Sequence, residues 1–198
     1  MSSDAFIALL VFAFVTSITP GPNNLMLLSS GVNFGFGRTI PHMLGIGAGF
    51  VSLLLGVGVG FGALLKAYPQ LDLALKVAGA AYLLYLAWRI GTSRSMADKG
   101  GASGRPMTFL QAAAFQWVNP KAWVMAITAM AVYTNPQRPF ASMLMVAVAF
   151  GIVNVPCVSS WAAFGLALRG FLADPARLKW FNIAMGLLLA ATLVPMLS

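Results

Sequence analysis

Long apolar stretches separated by short polar ones make up almost the whole chain. A helix needs about 20 mostly apolar residues to cross a bilayer. Six stretches meet that requirement, at about 5–31, 40–65, 72–91, 107–133, 140–168 and 179–197. The pattern predicts an all-α polytopic membrane protein with about six transmembrane helices.

Prolines interrupt the first and the fourth of these stretches near their middle. Residues 17–24 read SITPGPNN, and residues 116–121 read QWVNPK. Proline has no N–H and clashes with the preceding turn, so Pro20 and Pro22 leave two carbonyls of the first helix without partners. These carbonyls belong to Thr16 and Ile18. Such groups cannot face lipid, so each break is expected to be buried in protein or to line a wet cavity. A further break is predicted in the fifth stretch at residues 154–157, where Pro156 interrupts the helix.

A polar linker at residues 92–106 divides the chain near its middle. We therefore interpret 1–198 as a single transmembrane transporter domain with a first half at 1–91 and a second half at 107–198. Each half opens with a proline-broken helix, and halves with an odd number of helices insert in opposite directions. This arrangement predicts two inverted three-helix repeats with broken first and fourth helices, as in many secondary transporters.

The second stretch is rich in glycine. It contains three pairs spaced four residues apart, namely Gly45 and Gly49, Gly56 and Gly60, and Gly58 and Gly62. Small residues at this spacing let helix backbones approach closely in a membrane. The pairs predict tight packing within one chain, and the alternative is a face for a homodimer.

Composition and charge agree with a membrane protein and give it an orientation. The chain is 60% hydrophobic and 8% charged, which excludes an ordinary soluble globular protein. With alternating helices, the first, third and fifth loops carry eight Lys and Arg residues and the opposite side carries three. The excess predicts a cytoplasmic linker and both termini outside. It also accounts for the net charge of +8 without a nucleic-acid partner.

The chain offers little for catalysis or for binding a metal. Cys157 is the single cysteine, so an internal disulfide and a cysteine-ligated metal site are both excluded. No catalytic serine, metal cluster or phosphate loop stands out, and we expect no enzyme activity, metal or cofactor. The N-terminus has no basic segment before its apolar stretch, so we interpret it as retained.

Lys121 is the one charge deep inside a predicted span. An ammonium there costs about 2.5–3.5 kcal/mol even on insertion scales, so something must compensate it. Candidates are freed carbonyls, the neighbouring amides, water, or a substrate carboxylate. We favour the carboxylate, which would also be attracted by the positive ends of the helices restarting after Pro22 and Pro120. The alternative is a structural donor that closes the helix break.

The two breaks together supply the predicted substrate-binding residues, which are Thr19, Pro20, Gly21, Pro22, Asn23, Asn24, Asn119, Pro120 and Lys121. Asn23 and Asn24 can donate and accept hydrogen bonds, which suits an ammonium, a polar side chain or freed carbonyls equally. His42 is the one residue whose unperturbed pKa allows proton exchange near neutral pH. It is a candidate for proton coupling, against the alternative of an ordinary interfacial histidine.

Several motifs resemble the lysine exporter and homoserine/threonine resistance family of bacterial amino-acid exporters. They are the run at residues 19–24 with Gly31 and Gly35 downstream, the Gly45/Gly49 helix, residues 79–83 followed by Trp88, and residues 119–122. The resemblance covers nearly the whole chain. It implies proton-driven efflux of amino acids across the inner membrane. The two asparagines after Pro22 look most similar to exporters of cysteine and O-acetylserine.

The leading hypothesis is therefore a secondary exporter of small neutral amino acids or close derivatives, of the cysteine/O-acetylserine or homoserine/threonine type. Its expected partners are the amino-acid substrate, protons and the lipid bilayer. The alternative is a channel or facilitator for small polar solutes, which would need a continuous polar pore. The sequence instead concentrates polar groups at two breaks.

Overall fold

The computed structural model describes residues 2–96 and 105–194, and the regular structure within these ranges is helical throughout. The α-helices are α1 (Ser3–Ile18), α2 (Pro22–Phe34), α3 (Phe36–Gly58), α4 (Phe61–Ala67), α5 (Pro69–Thr92), α6 (Phe109–Gln116), α7 (Pro120–Tyr133), α8 (Pro139–Leu168) and α9 (Pro175–Ala191). A short 3₁₀ turn, Phe171–Ala173, precedes α9.

Prolines and polar caps mark where these helices begin. Proline is the first residue of α2, α5, α7, α8 and α9. At that position the missing N–H costs nothing and the fixed φ suits a helix. The hydroxyl of Thr108 accepts a hydrogen bond from Gln111 N (3.2 Å), and Gln111 Oε1 accepts one from Thr108 N (3.0 Å), which starts α6 with a capping box. The sequence therefore sets most helix starts locally.

The predicted spans correspond to these helices in different degrees. α3, α5 and α8 are each long and apolar enough to cross a membrane. α1 and α2 meet at 55° and make a fourth crossing if they form one broken span. The other two predicted stretches contain α6 with α7, and the 17-residue α9. A total of six spans remains a prediction.

Two expectations about helix continuity are wrong. The predicted break at residues 154–157 does not occur, because α8 continues through Pro156 from Pro139 to Leu168. A single proline removes one hydrogen bond, and α8, which packs on α1, α2 and α3, stays helical across it. The second stretch is also shorter than predicted: α3 ends at Gly58, and Gly60 (φ 105°) turns the chain into the separate helix α4. Most of the linker (97–104) and the end of the sixth stretch lie outside the described residues.

The bundle is centred on α8 and α3. α8 packs on α1, α2 and α3, α3 also packs on α6 and α7, and α5 pairs with α9. The ring of Phe150 on α8 meets the rings of Phe50 and Phe12 edge-on, with centroids 5.2 and 6.1 Å apart. These rings lie in the largest buried apolar cluster, which joins α1, α3, α7 and α8.

Glycines bring several helices into backbone contact. On α3, a Cβ added at Gly49 would lie 2.5 Å from Ala113 Cα on α6, and Gly45 faces the backbone of Phe109 on the same helix. Packing within one chain, predicted for this glycine pair, is confirmed. Gly31 on α2 meets Gly165 on α8 in the same manner. Helices this close can be held by van der Waals contact in lipid.

Large apolar side chains cover the outside of the bundle. Exposed examples occur on the long helices and on the short α6, including Leu110 (74% exposed), Ile152 (67%) and Leu187 (67%). In water such a surface would be an aggregation liability. In a bilayer it is the expected lipid-facing surface. The protein is an all-helical, multi-pass membrane protein.

Candidate functional site

Side chains satisfy the carbonyls at the break between α1 and α2. Asn24 Nδ2 donates to Ser17 O (2.9 Å) and to Thr19 O (2.8 Å). Trp161 Nε1, on α8, donates to Ile18 O at 3.0 Å, and Thr19 Oγ1 donates to Thr16 O at 3.1 Å. These are the carbonyls at the end of α1 that have lost their helical donors. The break is therefore satisfied by side chains and held in a fixed shape.

Lys121 completes this arrangement from the other half of the chain. Its Nζ donates to Thr19 O (2.8 Å), Thr19 Oγ1 (3.0 Å) and Pro20 O (3.3 Å). Gly21 allows the approach, since a Cβ there would lie 2.8 Å from Lys121 Cδ. In this conformation three neutral oxygens compensate the ammonium. The geometry is the one expected of a structural donor, and it leaves the side chain beside the cavity described below.

The second break has its own cap. Asn119 Oδ1 accepts a hydrogen bond from Lys121 N (3.1 Å), and Pro120 begins α7. Asn119 is buried, with 2% of its surface exposed. The N-terminal end of α7, which carries a positive partial charge, therefore lies next to the first break.

An amide pair links the two breaks directly. Asn23 Nδ2 donates to Gln116 Oε1 (2.8 Å), and Gln116 Nε2 donates back to Asn23 Oδ1 (3.1 Å). Gln116 is fully buried at the end of α6 and also donates to Ala112 O. It was not among the predicted site residues. Its presence in an apolar stretch just before the second break was the available signal.

A small cavity lies where the two breaks meet. Five of the nine predicted substrate-binding residues line it: Gly21, Asn23, Asn24, Asn119 and Lys121. The other four do not. Thr19 and Pro20 are exposed and tied to the cavity through Lys121, whereas Pro22 and Pro120 start helices. The cavity volume is about 30 Å³, which has room for ordered water but not for a whole amino acid.

Ser17 and Asn154 also line this cavity. Both lie in stretches where a helix break is predicted, but neither is among the predicted substrate-binding residues. Asn154 lies on α8, is 6% exposed, and donates through Nδ2 to Ser17 Oγ at 3.2 Å. Its Oδ1 is buried and has no hydrogen-bond partner. A buried acceptor without a donor is uncommon and costs free energy.

His42 lies apart from the two breaks. It is 1% exposed on α3, and neither ring nitrogen has a hydrogen-bond partner. It lines a second cavity of about 410 Å³, together with Ser29, Ser30 and the exposed Arg89. Ile46, one turn further along α3, lines the first cavity. His42 is therefore about one helical turn from the cavity between the two breaks and borders a more open one.

Another buried amide pair is fully engaged. Asn182 on α9 and Asn33 on α2 exchange hydrogen bonds (3.0 and 3.4 Å), and Asn182 also donates to Ser93 O. Within the described ranges no group of three His, Cys, Asp or Glu residues could hold a metal ion. The polar interior is thus made of amides, hydroxyls and Lys121, with His42 at its margin.

Comparisons with known proteins agree on one family. The protein-family model described as "LysE type translocator" matches residues 14–194. Proteins named "Cysteine/O-acetylserine efflux protein" from Escherichia coli strain K12 and Shigella flexneri are 31% and 32% identical to the chain. Each match spans 179 residues, 90% of this chain and 90% of the relative. No solved structure matches the chain.

Proposed function

Because the chain belongs to the LysE type translocator family, we propose that it exports small neutral amino acids or close derivatives across the inner membrane. The names of the relatives favour the cysteine/O-acetylserine type within this class. The family resemblance predicted from the motifs is confirmed, including its likeness to those exporters. Homoserine and threonine remain in the proposed substrate range.

The observation that carries the proposal is Lys121 at the wall of the cavity between the two breaks. Its ammonium is the group that would hold a substrate carboxylate, exchanging its bond to Thr19 Oγ1 for one to the ligand. The starts of α2 and α7 converge on the same cavity through Gly21, Asn23 and Lys121. Their positive ends favour an anionic group there.

The chemistry of the cavity wall supports a neutral substrate side chain. Its lining residues include a lysine, amides and hydroxyls but no carboxylate. A cationic side chain such as that of lysine would find no charged partner in the cavity. The Lys121 ammonium can hold one carboxylate, and the remaining polar groups are neutral. A zwitterion with a short polar or apolar side chain fits this set.

Transport requires that the closed cavity open to each side in turn. The helix contacts support the inverted-repeat arrangement proposed for this movement: α3 packs on α6 as α8 packs on α1, and α8 packs on α2 as α3 packs on α7. In this comparison the first half corresponds to the second as α1 to α6, α2 to α7, α3 to α8 and α5 to α9. The contacts of α5 with α9 and of α3 with α8 join corresponding helices and are unchanged when the halves are exchanged. Rocking of one repeat against the other would then expose the cavity alternately.

Proton coupling is proposed to run through His42. Its two unpartnered nitrogens and its position beside the larger cavity support the role, since a proton or water could reach it from there. The charge excess on one side of the membrane supports cytoplasmic placement of that cavity, which Arg89 borders, and both termini outside. A homodimer would have to use a surface other than Gly45 and Gly49, because α6 of the same chain covers them.

Uptake into inverted vesicles tests the proposal. Vesicles from producing and non-producing cells receive labelled L-cysteine, O-acetyl-L-serine, L-homoserine, L-threonine, L-lysine or L-glutamate, with and without an acidic interior. We expect saturable uptake of the neutral amino acids, stimulated by the gradient, and counterflow from preloaded vesicles. A channel would show no counterflow. Absence of uptake for the whole panel would refute the proposed function, and uptake indifferent to the gradient would refute the coupling.

A further inference from the structure

We propose that Asn154 Oδ1 binds the ammonium of the transported amino acid, which fixes the orientation of the substrate in the cavity between the two breaks. The inference rests on the proposed function and adds a second anchor to it. Lys121 holds the carboxylate on the α7 side, and Asn154 holds the ammonium on the α8 side. No aspartate or glutamate side chain of the protein is required to hold the ammonium.

The unpartnered oxygen of Asn154 is the first ground for this assignment. The residue is more than nine-tenths buried and lines the cavity, and its Oδ1 receives no hydrogen bond. Nδ2 is engaged with Ser17 Oγ at 3.2 Å, and this bond sets the rotation of the amide. Removing an amide oxygen from water without giving it a new hydrogen-bond donor is unfavourable. A ligand that brings a donor to this oxygen relieves that cost.

The second ground is that three other amide oxygens at the cavity, those of Asn23, Gln116 and Asn119, already accept a hydrogen bond. Asn23 Oδ1 accepts from Gln116, and Gln116 Oε1 accepts from Asn23. Asn119 Oδ1 accepts from Lys121 N. Of these four amides, Asn154 is the one whose oxygen receives no hydrogen bond at all. An ammonium has three N–H groups and no acceptor, so it is complementary to that oxygen.

Ser17 is a positioning residue in this scheme. It is 4% exposed in the last turn of α1, immediately before the break. Its backbone carbonyl accepts from Asn24, while its hydroxyl accepts from Asn154. The end of α1 is thereby tied to both α2 and α8. Movement of α1 during transport would turn the Asn154 amide and weaken its hold on the ammonium.

The scheme predicts which ligands the cavity accepts. A free ammonium is required on one side and a carboxylate on the other, so three related thiols separate the two anchors. L-cysteine carries both groups, mercaptopropionate lacks the ammonium, and cysteamine lacks the carboxylate. Each is tested as a competitor of labelled substrate in inverted vesicles, under a reducing agent.

Asn154→Leu is the decisive variant, since leucine has nearly the same shape and no hydrogen-bonding group. We expect it to weaken L-cysteine and cysteamine by roughly ten- to a hundredfold, the range for a charge-assisted hydrogen bond. Mercaptopropionate should bind weakly to the parent and equally weakly to the variant. The matched control is Asn182→Leu, which removes a buried amide outside the cavity. It should lower stability without changing the ratios among the three ligands.

Asn154→Asp provides a test that does not depend on a loss. A negative charge at this position should preserve binding of L-cysteine, strengthen cysteamine relative to L-cysteine, and weaken mercaptopropionate by at least tenfold. This pattern decides the matter even if Asn154→Leu does not fold. Equal losses for all three ligands, or a loss confined to the two ligands with a carboxylate, would overturn the assignment.

The outcomes also separate this inference from the proposed function. If the parent transports none of the panel, the proposed function fails. If the parent transports L-cysteine and Asn154→Leu binds it unchanged, only the assignment of Asn154 fails. If the parent prefers another amino acid of the panel, that amino acid with its deaminated and decarboxylated analogues replaces the three thiols.

Discussion

At the scale of single residues, the polar side chains near the breaks serve the backbone before they can serve a ligand. Trp161 donates to Ile18 O, which Pro22 frees, while Asn24 and Lys121 donate to the neighbouring carbonyls of Ser17 and Thr19. The sequence identified the freed carbonyls and Lys121, but it could not pair them, because Lys121 and Thr19 are 102 residues apart. Nor could it show which buried amide keeps an oxygen unused, since that depends on the partners of Asn154.

Lys121→Met tests whether the ammonium binds substrate in addition to bridging the break. Methionine keeps much of the length and removes the charge, so the variant should insert in the membrane at least as well. We expect affinity for a carboxylate-bearing amino acid to fall by about 1.5–3 kcal/mol, or roughly ten- to a hundredfold. Competition assays in inverted vesicles measure the effect.

The carboxamide of the same amino acid is the control ligand for Lys121→Met. It should already bind weakly to the parent, and the variant should bind it about as well as the parent does. Equal losses for both ligands would mean that Lys121 acts only by holding Thr19 and Pro20.

His42→Gln tests proton coupling. Glutamine keeps a buried polar group on α3 but does not titrate near neutral pH. We expect counterflow exchange of substrate to persist, while stimulation of uptake by an acidic vesicle interior is lost. Parallel assays of counterflow and gradient-driven uptake give the ratio. Retention of the gradient effect would remove His42 from the coupling mechanism.

At the scale of helices, the number and setting of prolines decide whether a helix breaks. The first break has two prolines flanking Gly21, and α1 ends there. At the second break, Pro120 follows the capping residue Asn119. Pro156 stands alone in α8, and the helix continues through this exposed residue while α8 as a whole packs on α1, α2 and α3. Local sequence predicted the first two breaks. It misjudged the third, because tertiary packing cannot be read from a single proline.

Replacement of Pro20 and Pro22 together by alanine tests the role of the first break. Alanine restores the N–H groups that could bond Thr16 O and Ile18 O in a regular helix. We expect a helix that is at least as stable, with Trp161 displaced from Ile18 O and export reduced. Transport per molecule in a well-expressed variant, with unfolding in detergent as the stability measure, provides the comparison. Full activity would mean that the break is architectural only.

Gly49→Ala tests the contact between α3 and α6. The added methyl group would lie 2.5 Å from Ala113 Cα and O, so α6 must move. Overpacking of this kind costs about 1–3 kcal/mol. Gly47→Ala is the matched control on the same helix, because its methyl group would meet Val155 Cγ2 at an ordinary 3.4 Å. Thermal unfolding in detergent should separate the two, and equal stability would contradict the contact.

At the scale of the whole molecule, apolar patterning predicted an all-helical membrane protein, and the resemblance of several motifs to a known family predicted the family. The helices were accessible because bilayer thickness and proline chemistry act locally along the chain. The packing order of the helices was not accessible, since contacts such as Gly31 with Gly165 join distant segments. The closed state of the cavity is likewise a property of the assembled bundle.

Orientation in the membrane is the prediction that belongs to this scale. Single cysteines replace Ser95 and Gln137, both exposed, in a background where Cys157 is substituted. The excess of basic residues on one side predicts that an impermeant thiol reagent labels Gln137 from outside intact cells and Ser95 only after permeabilisation. If the cysteine at position 95 were labelled first in intact cells, the protein would have the opposite orientation to the one predicted.

The three oxygens around Lys121 Nζ have a consequence for the unloaded transporter. They act as a built-in substitute for a carboxylate, so the ammonium stays solvated when the cavity holds no cargo. When the bundle changes conformation without an amino acid, the ammonium is then not left without partners inside the membrane. In the proposed proton-coupled cycle, the carrier can return with a proton alone and needs no second amino acid to complete the exchange.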